Sequence, residues 1–258
     1  MIKNPVPISP DRHAGKCWLP SPSYAFAAGE ALVPLVGAEL SKAALSMPVA
    51  FTEHRDGLIP VAVMGLEPGR NLCVLPDGRW AVRYVPAAVR GYPFALGRTP
   101  AGGEPVLCID EASGLVGEVG EPLFDDQRRP SPALARVIEF MGEVERNRVA
   151  TLAACAALAR HGVIVPWNLK VRQGDGEKAV GGLHRIDEER LNRLPDAAFL
   201  ELRAAGALAI AYAHLLSLGQ TALLGHIAGM QAPAAPAPVA GPVGEADFDQ
   251  LRGMTFEF

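Results

Sequence analysis

Pro130-Ser131-Pro132-Ala133-Leu134-Ala135-Arg136-Val137-Ile138 marks the point at which the chain changes character. Ser131 is suited to cap a helix and Pro132 to fill its first turn, where a missing N–H costs nothing. Leu134, Val137, Ile138, Met141, Val144, Leu152, Cys155 and Leu158 then recur at spacings of three and four. The pattern predicts a long amphipathic helix that ends near His161-Gly162.

On the N-terminal side of that point the chain reads as short strands at residues 49–53, 59–65, 71–75, 79–85 and 105–110. Arg55-Asp56-Gly57 and Pro76-Asp77-Gly78 separate them with turn chemistry, because Asp starts a turn through its side chain and Gly tolerates positive φ. Connections this short force antiparallel pairing, since a parallel crossover needs a dozen or more residues. An N-terminal antiparallel β-meander is therefore expected. On the C-terminal side, residues 163–172 and 179–186 predict a β-hairpin around Gly174-Asp175-Gly176. Asp187 is the expected N-cap of the next helix, with Glu188 and Glu189 in its first turn. Pro195-Asp196 restarts a helix carrying Phe199 and Leu202, and Gly206 interrupts it. The expected class is α+β: meander, long helix, hairpin and a helical C-terminal part.

Three segments are expected: an irregular N-terminal arm over residues 1–23, one α+β domain over 24–230, and a linker and tail over 231–258. Residues 231–244 are nearly all Ala, Pro, Val and Gly, a composition that buries too little to offset ordering. Phe248, Leu251, Met254, Phe256 and Phe258 beyond it are apolar enough to dock back on the body. Residues 204–225 contain no charge, but Gly206, His214, Ser217, Gly219, Gln220 and Thr221 interrupt them, so a packed helix is expected and no integral membrane segment.

Composition narrows the function classes. The chain has 258 residues, 49% hydrophobic content and a net charge of −4. It lacks the basic runs that bind nucleic acid, and its polar, proline-rich first 20 residues contain no secretory apolar core, so cytoplasmic residence is expected. Cys17, Cys73, Cys108 and Cys155 are dispersed, which predicts reduced thiols, and the six histidines show no metal-ligand spacing. No P-loop, G-x-S-x-G, H-E-x-x-H or G-x-G-x-x-G occurs, so no metal or cofactor is expected.

What remains is polar residues in apolar surroundings. Asn71 opens one expected strand and Trp80 sits in the next. Tyr84, Arg90 and Tyr92 lie in Tyr84-Val85-Pro86-Ala87-Ala88-Val89-Arg90-Gly91-Tyr92-Pro93-Phe94, and Asp110-Glu111 ends the strand Val106-Leu107-Cys108-Ile109. Arg90 is expected to be at least half buried and paired with Asp110 or Glu111, either bracing the fold or holding a ligand carboxylate or amide. His214, with Ser217 one turn later, is expected to be a neutral core histidine satisfied by a hydroxyl or carbonyl.

Several of these pieces, taken together, resemble the bacterial SapC family. They are Val33-Pro34-Leu35 with Glu39, Met47-Pro48-Val49-Ala50-Phe51, Gly65-Leu66 with Asn71-Leu72, Gly78 with Trp80, the block 84–94, and Cys108-Ile109-Asp110-Glu111. Leu123-Phe124-Asp125, Gly182-Leu183 with Arg185-Ile186-Asp187, Leu191, and Tyr212-Ala213-His214-Leu215 with Ser217-Leu218 extend the similarity, which runs over about residues 24–224. Ala50 and Gly91 depart from it, where a β-branched residue and a second arginine would be expected. The resemblance implies an accessory or binding protein of surface-layer or outer-membrane-linked physiology, with a protein or peptide partner and no catalytic residue to carry over. The rival reading is an enzyme acting on a peptide or small polar substrate, with Arg90 as clamp and Asp110, Glu111 or His214 as acid/base groups. Convergence of those four residues in one open pocket would favour the enzyme, and dispersal the accessory role.

Overall fold

The computed structural model describes residues 1–97, 103–173 and 176–231. The expected linker and apolar tail lie outside the described residues from 232 onward, as do Gly174 and Asp175 of the hairpin turn. Along the chain come β1 (Pro5–Pro7), α1 (Pro10–His13), β2 (Cys17–Trp18), β3 (Leu32–Pro34), α2 (Leu40–Ala43), β4 (Val49–His54), β5 (Gly57–Val63) and α3 (Ala87–Arg90). Then follow β6 (Phe94–Gly97), β7 (Val106–Asp110), β8 (Val116–Gly117), β9 (Glu121–Pro122) and α4 (Pro132–Arg160). The last elements are β10 (Ile164–Gln173), β11 (Gly176–Ile186), α5 (Glu188–Asn192), α6 (Asp196–Ala204), α7 (Ala207–Ser217) and α8 (Gln220–Met230). The protein is α+β.

The central sheet has the order β10-β11-β4-β5-β3, and its pairings are antiparallel. Two hairpins supply four of its strands and are joined where β11 meets β4 at His184 and Phe51, and β3 adds to the free edge of β5. Alternation decides what each face buries. Val49, Phe51, Ala62 and Met64 pack with Ala154, Cys155 and Leu158 of α4 and Ile210 and Ala211 of α7. Ala50, Val61 and Val63 point the other way, into a second core with Leu169, Val171, Leu224 and Ile227. Ala50 is thus a fully buried position beneath α8.

The long helix follows its signals: the Ser131 hydroxyl accepts the N–H of Leu134 at 3.1 Å, and Pro132 opens the first turn. The Asp187 carboxylate likewise accepts the N–H of Arg190 at 3.0 Å, and Gly206 takes a left-handed φ of 68° between α6 and α7.

Three expectations are corrected. Residues 71–75 and 79–85 meet in a single bridge, Val74 to Trp80, rather than as paired strands. The turn between them forms, but flanking backbone is spent elsewhere: Asn71 N–H goes to Ala28 O, and Leu72 N–H to Met64 O. The Asn71 side chain takes the N–H of Cys73, so no ladder propagates. Second, the N-terminal arm is not irregular throughout. β1 pairs with β7, and β2 lies between β8 and β9. Strands of two or three residues are too short to show alternation, and Pro5 and Pro7 fit a strand at the sheet edge. Third, the uncharged stretch 204–225 is divided between α7 and α8 by Leu218-Gly219. Gly225 then lets α8 close on β10, since a Cβ there would stand 2.3 Å from Arg172 O.

No single described helix is long and apolar enough to cross a membrane; α6 and α7 reach that composition only together, bent by 92°.

Candidate functional site

Six aromatic side chains converge on one surface cleft in a chain that is only 6% aromatic. Trp18 comes from β2, Tyr24 and Phe26 from the turn before β3, Tyr92 and Phe94 from the segment after α3, and Phe140 from α4. Val137 and Phe140, three residues apart, share one face of α4 and supply that wall. The cleft measures about 270 Å³. Phe26 and Tyr92 stack in parallel at 3.8 Å, while Trp18 meets Phe94 edge-on at 4.9 Å. Except for Phe94 these rings are only partly buried, so they present apolar surface to the opening. The Trp18 indole N–H is shut away without an acceptor, so this residue offers the cleft a ring rather than a donor.

Arg90 is the one charged residue among those lining the cleft. It is exposed, which corrects the expectation of a half-buried side chain. Its Nε donates to Val85 O at 3.1 Å, and Nη2 reaches the Tyr84 hydroxyl at 3.5 Å. The guanidinium lies 5.2 Å from the Phe140 ring centre and 5.9 Å from that of Tyr84, within cation–π range. Among the described residues no carboxylate pairs with it.

The expected partners are occupied. Asp110 is 1% exposed, and its oxygens accept the backbone N–H groups of Lys3, Asn4 and Ala112 at 2.9, 2.9 and 3.1 Å. It fastens β1 to β7. Glu111 holds Arg12 through two bonds of 2.8 and 2.7 Å and faces His13 at 3.3 Å. That arginine holds the Glu111 carboxyl down at about 2.

A buried carboxylate that the sequence reading did not select, Glu39, instead sets the position of Arg90. One of its oxygens accepts Val36 N–H at 2.9 Å, and the other accepts Ala87 N–H at 2.7 Å and the Tyr84 hydroxyl at 2.8 Å. Burial, then the neighbouring Glu39 charge, pushes the Tyr84 hydroxyl up to about 12, so it stays protonated and donates. The chain Glu39, Tyr84, Arg90 therefore anchors both ends of α3 and fixes the guanidinium against the aromatic wall. Burial also raises the Tyr92 hydroxyl, with the Asp110 charge as the next cause.

The remaining sequence candidates lie apart from the cleft lining. Asn71 is buried, donating to Ala27 O at 3.0 Å and accepting from Cys73. Trp80 donates its indole N–H to Tyr84 O at 2.8 Å and packs near Tyr24 at 5.2 Å. His214 is 0% exposed, with Nδ1 donating to Val49 O at 2.8 Å. Ser217 completes that seam by accepting Val49 N–H at 2.9 Å and donating to His214 O at 2.6 Å. Burial drives the imidazole down to about 4. It is a neutral, closed-off ring between Phe51 and Trp167.

Trp18, Tyr24, Phe26 and Phe140 were not legible as site residues. The nearest signal was the spacing of Trp18, Tyr24 and Phe26, which fall close together where the proline-rich arm joins the domain. Gly91, the departure from the expected arginine, is buried beside Met141, whose sulfur would lie 3.3 Å from an added Cβ. Among the described residues no three His, Cys, Asp or Glu side chains assemble as a metal site would require. All four cysteines are free, and burial pushes Cys73 and Cys155 up to about 12.

The family model described as SapC matches residues 8–224, most of the chain, so the protein belongs to the SapC family. Neither the curated proteins nor the solved structures contain a match.

Proposed function

We propose that this SapC-family chain is a non-catalytic binding protein whose aromatic cleft captures a protein or peptide partner, acting from the cytoplasm as an accessory to surface-layer or outer-membrane-linked physiology. The observation that carries the reading is the separation of Arg90 from the acid/base candidates. Asp110 and His214 are buried and hydrogen-bonded to backbone, Glu111 is engaged by Arg12, and none of the three lines the cleft with Arg90. An enzyme of the kind considered above needs its clamp and its acid/base group within reach of one substrate. A binding site needs apolar walls and a few placed polar groups, and the cleft has both.

The test compares wild type with Arg90→Ala for partner capture from an extract of the native organism, alongside the melting midpoint of each. Capture lost at an unchanged midpoint is the expected result. Equal capture by the two proteins would refute the reading.

A further inference from the structure

We infer that the cleft takes an aromatic ring carrying a carboxylate one or two carbons away, with the ring against the aromatic walls and the carboxylate on Arg90. This deepens the binding reading above and rests on it. Three observations select the ligand. The lining holds six aromatic side chains, Phe26 and Tyr92 stacked on each other and Trp18 edge-on to Phe94, and a surface this rich in rings favours a flat apolar group in offset or edge contact. Arg90 brings a single positive charge with no acidic partner among the described residues, and its Nη1 donates to nothing there. A lone guanidinium matches one carboxylate in its planar two-point geometry, whereas a phosphate dianion would leave charge unmatched. The volume, about 270 Å³, lies below the roughly 300–1,000 Å³ of drug-sized pockets, so one ring and a short acid arm suffice to fill the cleft. The same chemistry occurs in a free aromatic acid and at the aromatic C-terminus of a peptide.

Calorimetric titration with N-acetyl-phenylalanine, its C-terminal amide, N-acetyl-cyclohexylalanine and a pentapeptide ending in phenylalanine separates these cases. The acid is expected to bind, and the amide to bind roughly ten- to a hundredfold more weakly, the loss appropriate to charge-assisted hydrogen bonds. The saturated ring should also bind more weakly than the aromatic one. Arg90→Ala should abolish binding of the acid, and Arg90→Lys should leave a reduced remnant, because an ammonium cannot reproduce the fork. A pentapeptide tighter than the single residue identifies a peptide end as the source, and equal affinities identify a free acid. Equal binding of acid and amide, or no binding of any probe at millimolar concentration, overturns the ligand assignment. If no probe binds while Arg90→Ala still loses the partner captured by wild type, the ligand class fails and the binding reading stands. If Arg90→Ala captures normally, the binding reading itself fails.

Discussion

The seam between α7 and β4 and the cleft beside α3 both contain polar side chains set among apolar ones, yet they do opposite things with them. In the seam, His214 and Ser217 are fully buried: His214 Nδ1 and Ser217 Oγ take the carbonyl and the N–H of Val49, Ser217 also donates to His214 O, and His214 Nε2 is shut away from any partner among the described residues. In the cleft, Arg90 is exposed, rests on two rings, and meets no carboxylate among the described residues. What separates structural from binding residues here is how many of their bonds the fold itself consumes. Asp110 belongs with the seam residues by that measure, although it stands at a strand end only 20 positions from Arg90.

If that distinction is right, the largest stability losses should come from the consumed residues. Asp110→Ala removes the buried acceptor of three backbone N–H groups and should cost about 3 kcal/mol, at about 1 kcal/mol for each hydrogen bond lost. Chemical denaturation read by circular dichroism measures it, and a loss below about 1 kcal/mol would place Asp110 with the free residues.

The His214 seam makes a pH prediction of nearly the same size. Its folded-state value of about 4 lies below the ordinary 6.5, so the unfolded chain binds the proton more readily between those values. Stability is therefore complete above pH 6.5 and is lost as the pH falls toward about 4, by about 3 kcal/mol in total. His214→Phe should flatten that slope while lowering stability at neutral pH through the abandoned Val49 carbonyl. A wild-type stability flat from pH 7 to 4.5 would contradict a closed seam.

A smaller effect sharpens the same comparison without any charge. Gly225→Ala drives a methyl into the Arg172 carbonyl and should cost about 2 kcal/mol by overpacking, displacing α8 from β10. A neutral result would show that α8 is loosely seated. Arg90→Ala should have the smallest effect, under about 1 kcal/mol, as for exposed side chains outside the core. A loss of 3 kcal/mol or more would make Arg90 a structural brace and break the contrast.

About half of this contrast was legible in the sequence. The apolar setting of His214 marked it as a core residue. For Arg90 the strand-end carboxylates looked like partners, because sequence distance alone cannot show that Lys3, Asn4 and Arg12 reach them first. Glu39 was visible only as one member of a family pattern. Its bond to Tyr84 spans 45 positions and leaves no periodic trace.

Local chemistry determined the rest without help. The period of α4, the caps at Ser131 and Asp187, the Gly206 break and the two hairpins all depend on residues a few positions apart, where backbone geometry and side-chain spacing suffice. Tertiary structure alone decided the third sheet built on β2, the contact of β11 with β4, and the cleft itself. Its walls come from residues 18 to 140, and only packing of the arm against α3 and α4 makes them neighbours. A chain encodes its local turns in adjacent residues, but the partner a charged side chain finds depends on which distant group reaches it first.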